Sequence, residues 1–325
     1  MKQHLFEEQY HPVWRELEGT LGELESKGKS SLDRRQLQQF IRDYRQTCYH
    51  YSIARTRQYS PQLVTRLHDL VLRAHQHLYS GKRLVGWRII QFVMVDFPAA
   101  VRANSRFLWL STALLVLPGI IIGLLCFYNG QVVYSVLSED EVFGFEMMYS
   151  PDAQVLGRSR ESATDFLMFG YYIKHNIGIG FRTFAGGLLL GIGTVITLLF
   201  NGTYLGAVAG YLTQLGYTQT FWPFVAGHGA FELTAICISG AAGLRLAYPL
   251  FAPGRLRRID ALRLSAREAV ILVIGAAFML VAAAFIEAFW SSNRAFDPAV
   301  KYTVAAMLWL LVVSYLTFTG RSHAD

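Results

Sequence analysis

The sequence predicts an all-α membrane protein: six transmembrane helices preceded by a cytoplasmic helical domain and an interfacial amphipathic helix. Three observations carry this. Of 325 residues, 53% are hydrophobic and 16% charged, a balance too apolar for an ordinary soluble domain of this size. The apolar residues fall in blocks near the roughly 20-residue length that a helix needs to cross hydrocarbon. Residues 1–106 contain no such block and hold 17 Lys/Arg against 10 Asp/Glu.

Three segments follow from that distribution: 1–81, a cytoplasmic helical region; 82–106, an interfacial amphipathic helix; and 107–320, the membrane domain. In the first, Trp14, Leu17, Leu21 and Leu24 repeat at helical steps. So do Leu37, Phe40/Ile41, Tyr44, Cys48 and Tyr51, and then Leu63, Leu67, Leu70, Ala74 and Leu78. Ser60 before Pro61 reads as an N-cap followed by proline at the first helical position, with Gly81 as a stop. Three short helices sharing a small core are expected. No basic start leads into a short apolar core, so no cleavable signal peptide is expected. In 82–106, Lys82, Arg83 and Arg88 mix with Trp87, Phe92 and Phe97, as in a helix lying at a membrane surface, and Pro98 is expected to turn the chain into the bilayer.

The expected spans are Phe107–Tyr128, Phe184–Phe200, a short Gly202–Leu215, Trp222–Leu244, Ala269–Trp290 and Val300–Phe318. Loop charge orients them. Between the fourth and fifth, Arg255, Arg257, Arg258, Arg263 and Arg267 face one acid, Asp260, which marks that loop cytoplasmic. Residues 129–165 carry Glu139, Asp140, Glu141, Glu146, Asp152, Glu161 and Asp165 against Arg158 and Arg160, and belong outside. Both termini are then cytoplasmic.

Several function classes lose support at this stage. The arginines of the first segment are spread around their helices, with aromatics on the apolar stripes, a solvated face near anionic lipid rather than a nucleic-acid reader. His68, His75 and His77 could form a metal patch, but the sequence shows no acidic or cysteine partner that completes it, and they are read as surface histidines. Cys48, Cys126 and Cys237 are odd in number and show no metal spacing. No nucleophile with an adjacent base, no phosphate loop and no cofactor motif occurs, so no enzyme and no cofactor are expected.

Charges at bilayer depth are the informative residues, since each costs about 2.5 kcal/mol or more at a helix centre. Arg182, His228, Glu232 and Glu287 stand out. His228 and Glu232, four residues apart, share a helix face. A lateral Arg182–Glu232 pair is expected, with Asn176, His175 and Asp165 near that level. Three readings compete: a structural lock made of Arg182, His228, Glu232 and Asn201; a proton- or ion-coupled transport site, or a permease half working with a separate ATPase; and a metalloenzyme using His228, Glu232 and His175, for which the H-E-x-x-H order is absent. The lock is the reading these residues favour. Gly187 with Gly191, and Gly202, Gly206 and Gly210, form small-residue faces for close helix packing, more often within a chain than across a dimer seam.

The runs "YYIKHNIGIGFRTFAGGLLLGIGTVITLLFNGTYLGAVAGYL" and "GHGAFELTAICISGAAGLRLAYPL" resemble the stage II sporulation protein M family, and the charged helical front end, finishing at Phe97-Pro98, resembles the form found in non-sporulating bacteria. The resemblance covers roughly residues 100–320. Its pattern falls on Asn176, Asn201, Gly202, Gly206, His228, Gly229, Glu232, Gly243 and Arg245. It departs at Gly227, where the family usually has proline. The resemblance implies an integral membrane scaffold for envelope remodelling. The partners it implies are peptidoglycan-remodelling proteins, a MoxR-type ATPase or a protein with a von Willebrand-like region, besides the lipid bilayer and a second copy in a homodimer. Combined, the two readings expect a polar network of Arg182, His228, Glu232, Asn176, Asn201 and Arg245. They expect helix packing through Gly187, Gly191, Gly202, Gly206, Gly210, Gly229 and Gly243.

Overall fold

The computed structural model describes residues 2–27, 33–79, 82–153, 156–157 and 164–321, and among them every regular element is helical. Gly81, Arg158, Arg160 and Glu161 lie outside the described residues, as do the side chains of Arg34, Lys82 and Arg83. Contacts divide the chain into two units, residues 1–89 and 90–325.

The first unit contains α1 (Gln3–Lys27), α2 (Arg34–Thr56) and α3 (Pro61–Tyr79). Their stripes meet as expected: Trp14, Leu17, Leu21, Phe40, Leu67 and Ala74 are buried in one cluster. Asp33 caps α2 in a reciprocal box with Gln36, which satisfies two otherwise orphaned amides. Leu37 is the exception to its stripe and is exposed. Arg73 clamps Glu25 through two bonds of 2.9 Å, holding that carboxyl below the usual glutamate range. α4 (Lys82–Gln91) follows.

The second unit begins with a π-helical turn, Phe92–Asp96, leading into α5 (Phe97–Ala103) with Pro98 in its first turn. Proline displaces the carbonyl four residues before it. The wide turn absorbs that, so the helix passes through Pro98 without breaking. Phe97 lies flat on α11, where a Cβ on Gly275 would stand 2.0 Å from its ring.

Then come α6 (Ser105–Tyr128), α7 (Glu139–Tyr149), α8 (Asp165–Ala185), α9 (Ile192–Gln214), α10 (Thr218–Phe251), α11 (Arg258–Phe285), a second π turn at Ile286–Ser291, and α12 (Pro298–Phe318). Among the described residues, five helices are long and apolar enough to cross a membrane: α6, α9, α10, α11 with its π turn, and α12. α8 is 21 residues long but carries Asp165, Lys174 and Arg182 and falls short in apolarity.

This corrects two expected spans. The window 184–200 is not a helix, because Gly186–Leu188 forms a 3-10 turn and Leu190 and Gly191 take left-handed φ values of 54° and 77°. Nor does the chain break at Asn201-Gly202. Asn201 donates to the Thr197 carbonyl at 2.7 Å, and α9 runs unbroken for 23 residues.

The glycines explain the packing. A Cβ on Gly202, Gly206 or Gly210 would come within about 2 Å of the carbonyl oxygens of Leu115, Gly119 and Gly123 respectively, so α6 and α9 touch backbone to backbone. Gly187 meets the Gly243 backbone in the same manner. Gly191 caps α9. Gly229 is buried but makes no backbone seam: a Cβ there would meet only side chains of its own helix, Val225 and Leu233, within 4 Å.

Candidate functional site

α8 and α9 come together at the 186–193 turn, where Gly186 abuts Gly193. Their far ends flank α10, and the space between opens into a cleft of about 2120 Å³ with mostly apolar walls from α6, α8, α9 and α10. Asn176, His228, Glu232 and Glu287 line it.

α10 presents His228 and Glu232 one turn apart, with Nε2 and Oε2 separated by 3.8 Å. The second π turn brings Glu287 to the same place. A π turn inserts an extra residue into a helix and re-aims the side chains it carries. One ligand-type atom from each of His228, Glu232 and Glu287 lies within 4.8 Å of the other two. His228 Nδ1 is fixed by the Ser291 hydroxyl at 3.1 Å. Ser291 in turn accepts, through its carbonyl, a 2.8 Å bond from buried Lys301 of α12. The imidazole is thus held so that its other nitrogen faces the carboxylates.

Two groups close the site. Asn176 of α8 is buried beside Glu287, yet neither its amide nitrogen nor Glu287 Oε2 reaches hydrogen-bonding geometry with a partner. Tyr149 of α7 packs on Phe224, which packs edge-on against His228. Burial, reinforced by the carboxylates of Glu287 and Glu232, pushes the Tyr149 phenol well above its usual range. The described residues 130–149 accordingly form a docked cap. Val133, Leu137 and Val142 bury against α9 and α10, Glu146 accepts from Tyr211 at 2.6 Å, and Thr220 donates to the Tyr149 carbonyl.

Of the expected network, His228, Glu232 and Asn176 come together. The other members do not. Arg182 is exposed and donates to the Gly178 carbonyl of its own helix at 3.1 Å, so the expected pair with Glu232 does not form. The corrected span boundaries give the reason. α8 starts at residue 165, and Gly180 packs against Ser239, seven residues or about 10 Å past Glu232 along α10. Arg182 lies further still. Asn201 turns back on its own helix. Arg245 forms a separate pair, 2.9 Å to Glu268 and 2.8 Å to Ser265, joining α10 to α11. His175, the imagined third ligand, is exposed and stacks on Tyr171.

Glu287 is the residue that sequence reasoning set apart from the network. The signal was its charge at a depth comparable with Glu232. What could not be read was the π turn that rotates it inward.

The helices and this buried polar cluster define an all-α polytopic membrane protein, and the apolar helices suggest a membrane location. The description "Stage II sporulation protein M" matches residues 112–292, more than half of the chain, and the chain belongs to that family. Residues 4–80 match a "Domain of unknown function (DUF8413)". The chain is similar to the uncharacterized protein MJ0793 of Methanocaldococcus jannaschii, 30% identical over 81 residues. That match covers 25% of this chain and 46% of the relative, so the chain spans less than half of that protein's length. No solved structure matches.

Proposed function

We propose that this chain is an inner-membrane scaffold for cell-envelope or membrane remodelling, with both termini cytoplasmic. The observation that carries this reading is the α6–α9 seam. Three successive backbone contacts, Gly202 on Leu115, Gly206 on Gly119 and Gly210 on Gly123, fit a rigid platform better than helices that slide past each other. The arginines at 255, 257, 258, 263 and 267 support the orientation. The first unit, a folded helical module, is suited to recruit a cytoplasmic partner. A MoxR-type ATPase or a protein with a von Willebrand-like region is the partner class that the family resemblance suggests, and peptidoglycan-remodelling proteins are the external one. Since Gly202, Gly206 and Gly210 are taken up within the chain, a homodimer would form on other surfaces.

The cleft lined by His228 and Glu232 favours a second reading, transport of an ion or solute, alone or with an ATPase. One variant separates them. For a scaffold, Glu232→Gln protein in liposomes passes ions no differently from wild type, while removal of residues 1–89 abolishes partner co-purification. Flux through wild-type liposomes that Glu232→Gln abolishes, in a variant with a normal melt, would replace the scaffold by the transporter.

A further inference from the structure

We propose that His228, Glu232 and Glu287 form a binding site for one divalent transition-metal cation at the floor of the cleft. The inference is independent of whether the chain is a scaffold or a transporter.

The donor set comes from two separate segments, α10 and the π turn after α11, and converges to within 4.8 Å. Ligand atoms around a bound ion of this kind stand roughly 3 to 3.5 Å apart, given metal–ligand distances of about 2.0–2.2 Å. Rotamer adjustments of about 1 Å close the set. His228 has the support expected of a ligating imidazole: one ring nitrogen fixed by a hydroxyl, Ser291 Oγ at 3.1 Å, and the other directed at the acids. Two carboxylates and an imidazole acceptor that converge at bilayer depth are neutralised either by protons or by a cation held among them. Lys301 does not join the three; its ammonium is engaged by the Ser291 carbonyl at 2.8 Å. A dication balances both carboxylates together.

A second observation points into the same place. Asn176, 2% exposed, stands beside Glu287, yet neither its amide nitrogen nor Glu287 Oε2 completes a hydrogen bond of normal geometry. Buried polar atoms are rarely left in that state. An ion at the three ligands uses Glu287, and a water in its shell satisfies the amide.

The chemistry selects the metal. One nitrogen and two carboxylate donors suit Zn²⁺ or Mn²⁺, whereas Mg²⁺ and Ca²⁺ prefer all-oxygen sets. The protein supplies three ligands on the floor of an open cleft, so the remaining coordination positions face the cleft.

The test uses the full chain in nanodiscs, stripped with a chelator and titrated with Zn²⁺ and, in parallel, Mg²⁺. The expected result is one equivalent of Zn²⁺ bound, a rise in melting temperature that Mg²⁺ does not reproduce, and at least tenfold weaker binding in Glu287→Gln and His228→Asn. Absence of a bound equivalent, an equal response to Mg²⁺, or unchanged affinity in both variants would overturn the site. If either variant fails to fold, Mn²⁺ resonance on the wild type decides: coupling to a single imidazole nitrogen supports the site, and its absence rejects it.

Discussion

Gly206 of α9 rests directly on Gly119 of α6, so closely that a Cβ at Gly206 would stand 2.1 Å from the Gly119 carbonyl oxygen. The obstacle is backbone rather than a flexible side-chain tip. Gly206→Ala should therefore force the two helices apart and cost about 1–3 kcal/mol. Gly229→Ala, where only atoms of its own helix come near, should be neutral or gain up to about 1 kcal/mol from helix propensity. Melting curves of both variants in one detergent check this, and equal losses would show that the seam is not where the bundle is tight.

Arg245 and Arg182 should behave differently. Arg245 links α10 to α11 through Glu268 and Ser265, so Arg245→Ala should destabilise by about 1 kcal/mol, discounted because Glu268 is half exposed. Arg182 bonds only to Gly178 of its own turn. Arg182→Ala should leave the melt within about 0.5 kcal/mol of wild type. A large loss at Arg182 would restore the lateral pair with Glu232 that the sequence alone suggests.

The first unit should weaken in acid. Trp14 donates its indole N–H to Nδ1 of buried His50 at 3.0 Å. Burial holds the imidazole below its ordinary value. A depressed histidine contributes stability that is intact above the unfolded value of about 6.5 and is lost as pH falls below it. Protection of the α1 and α2 amides in the full chain, taken relative to their intrinsic exchange rate at each pH, should thus fall between neutral pH and pH 5, and less so in His50→Gln. Protection that does not vary with pH would contradict this role.

Helix α7 should resist proteases. Tyr211 donates to Glu146 at 2.6 Å, and Tyr149 is buried against Phe221 and Phe224. Tyr211→Phe loses one charge-assisted bond, worth about 1.5–3 kcal/mol, and should hasten cleavage within α7 several-fold. Rapid cleavage of the wild type would mean that the cap is not docked.

Much of this was legible because periodicity and charge report burial directly. Trp14, Leu17 and Leu21 announced the first unit, and Gly202, Gly206 and Gly210 announced a close helix contact, though not that Leu115, Gly119 and Gly123 receive it. His228 and Glu232 were visible as charges in an apolar run. The failures have one cause: hydropathy does not see backbone exceptions. The left-handed pair Leu190-Gly191 lies inside an apolar window, so the α8–α9 boundary was misplaced. That error alone put Arg182 at the level of Glu232. The π turn at Ile286–Ser291 is likewise silent in the sequence, and it decides that Glu287 completes the cluster while Arg182 does not.

The central claim is that Glu232 and Glu287, from α10 and the π turn, act on each other inside the bundle. A double-mutant cycle of Glu232→Gln and Glu287→Gln, measured by unfolding the chelator-treated protein, tests it most directly. The account predicts non-additive effects, with a coupling of about 0.5–3 kcal/mol. Additivity within about 0.5 kcal/mol would mean that the two carboxylates are strangers and that no such site exists.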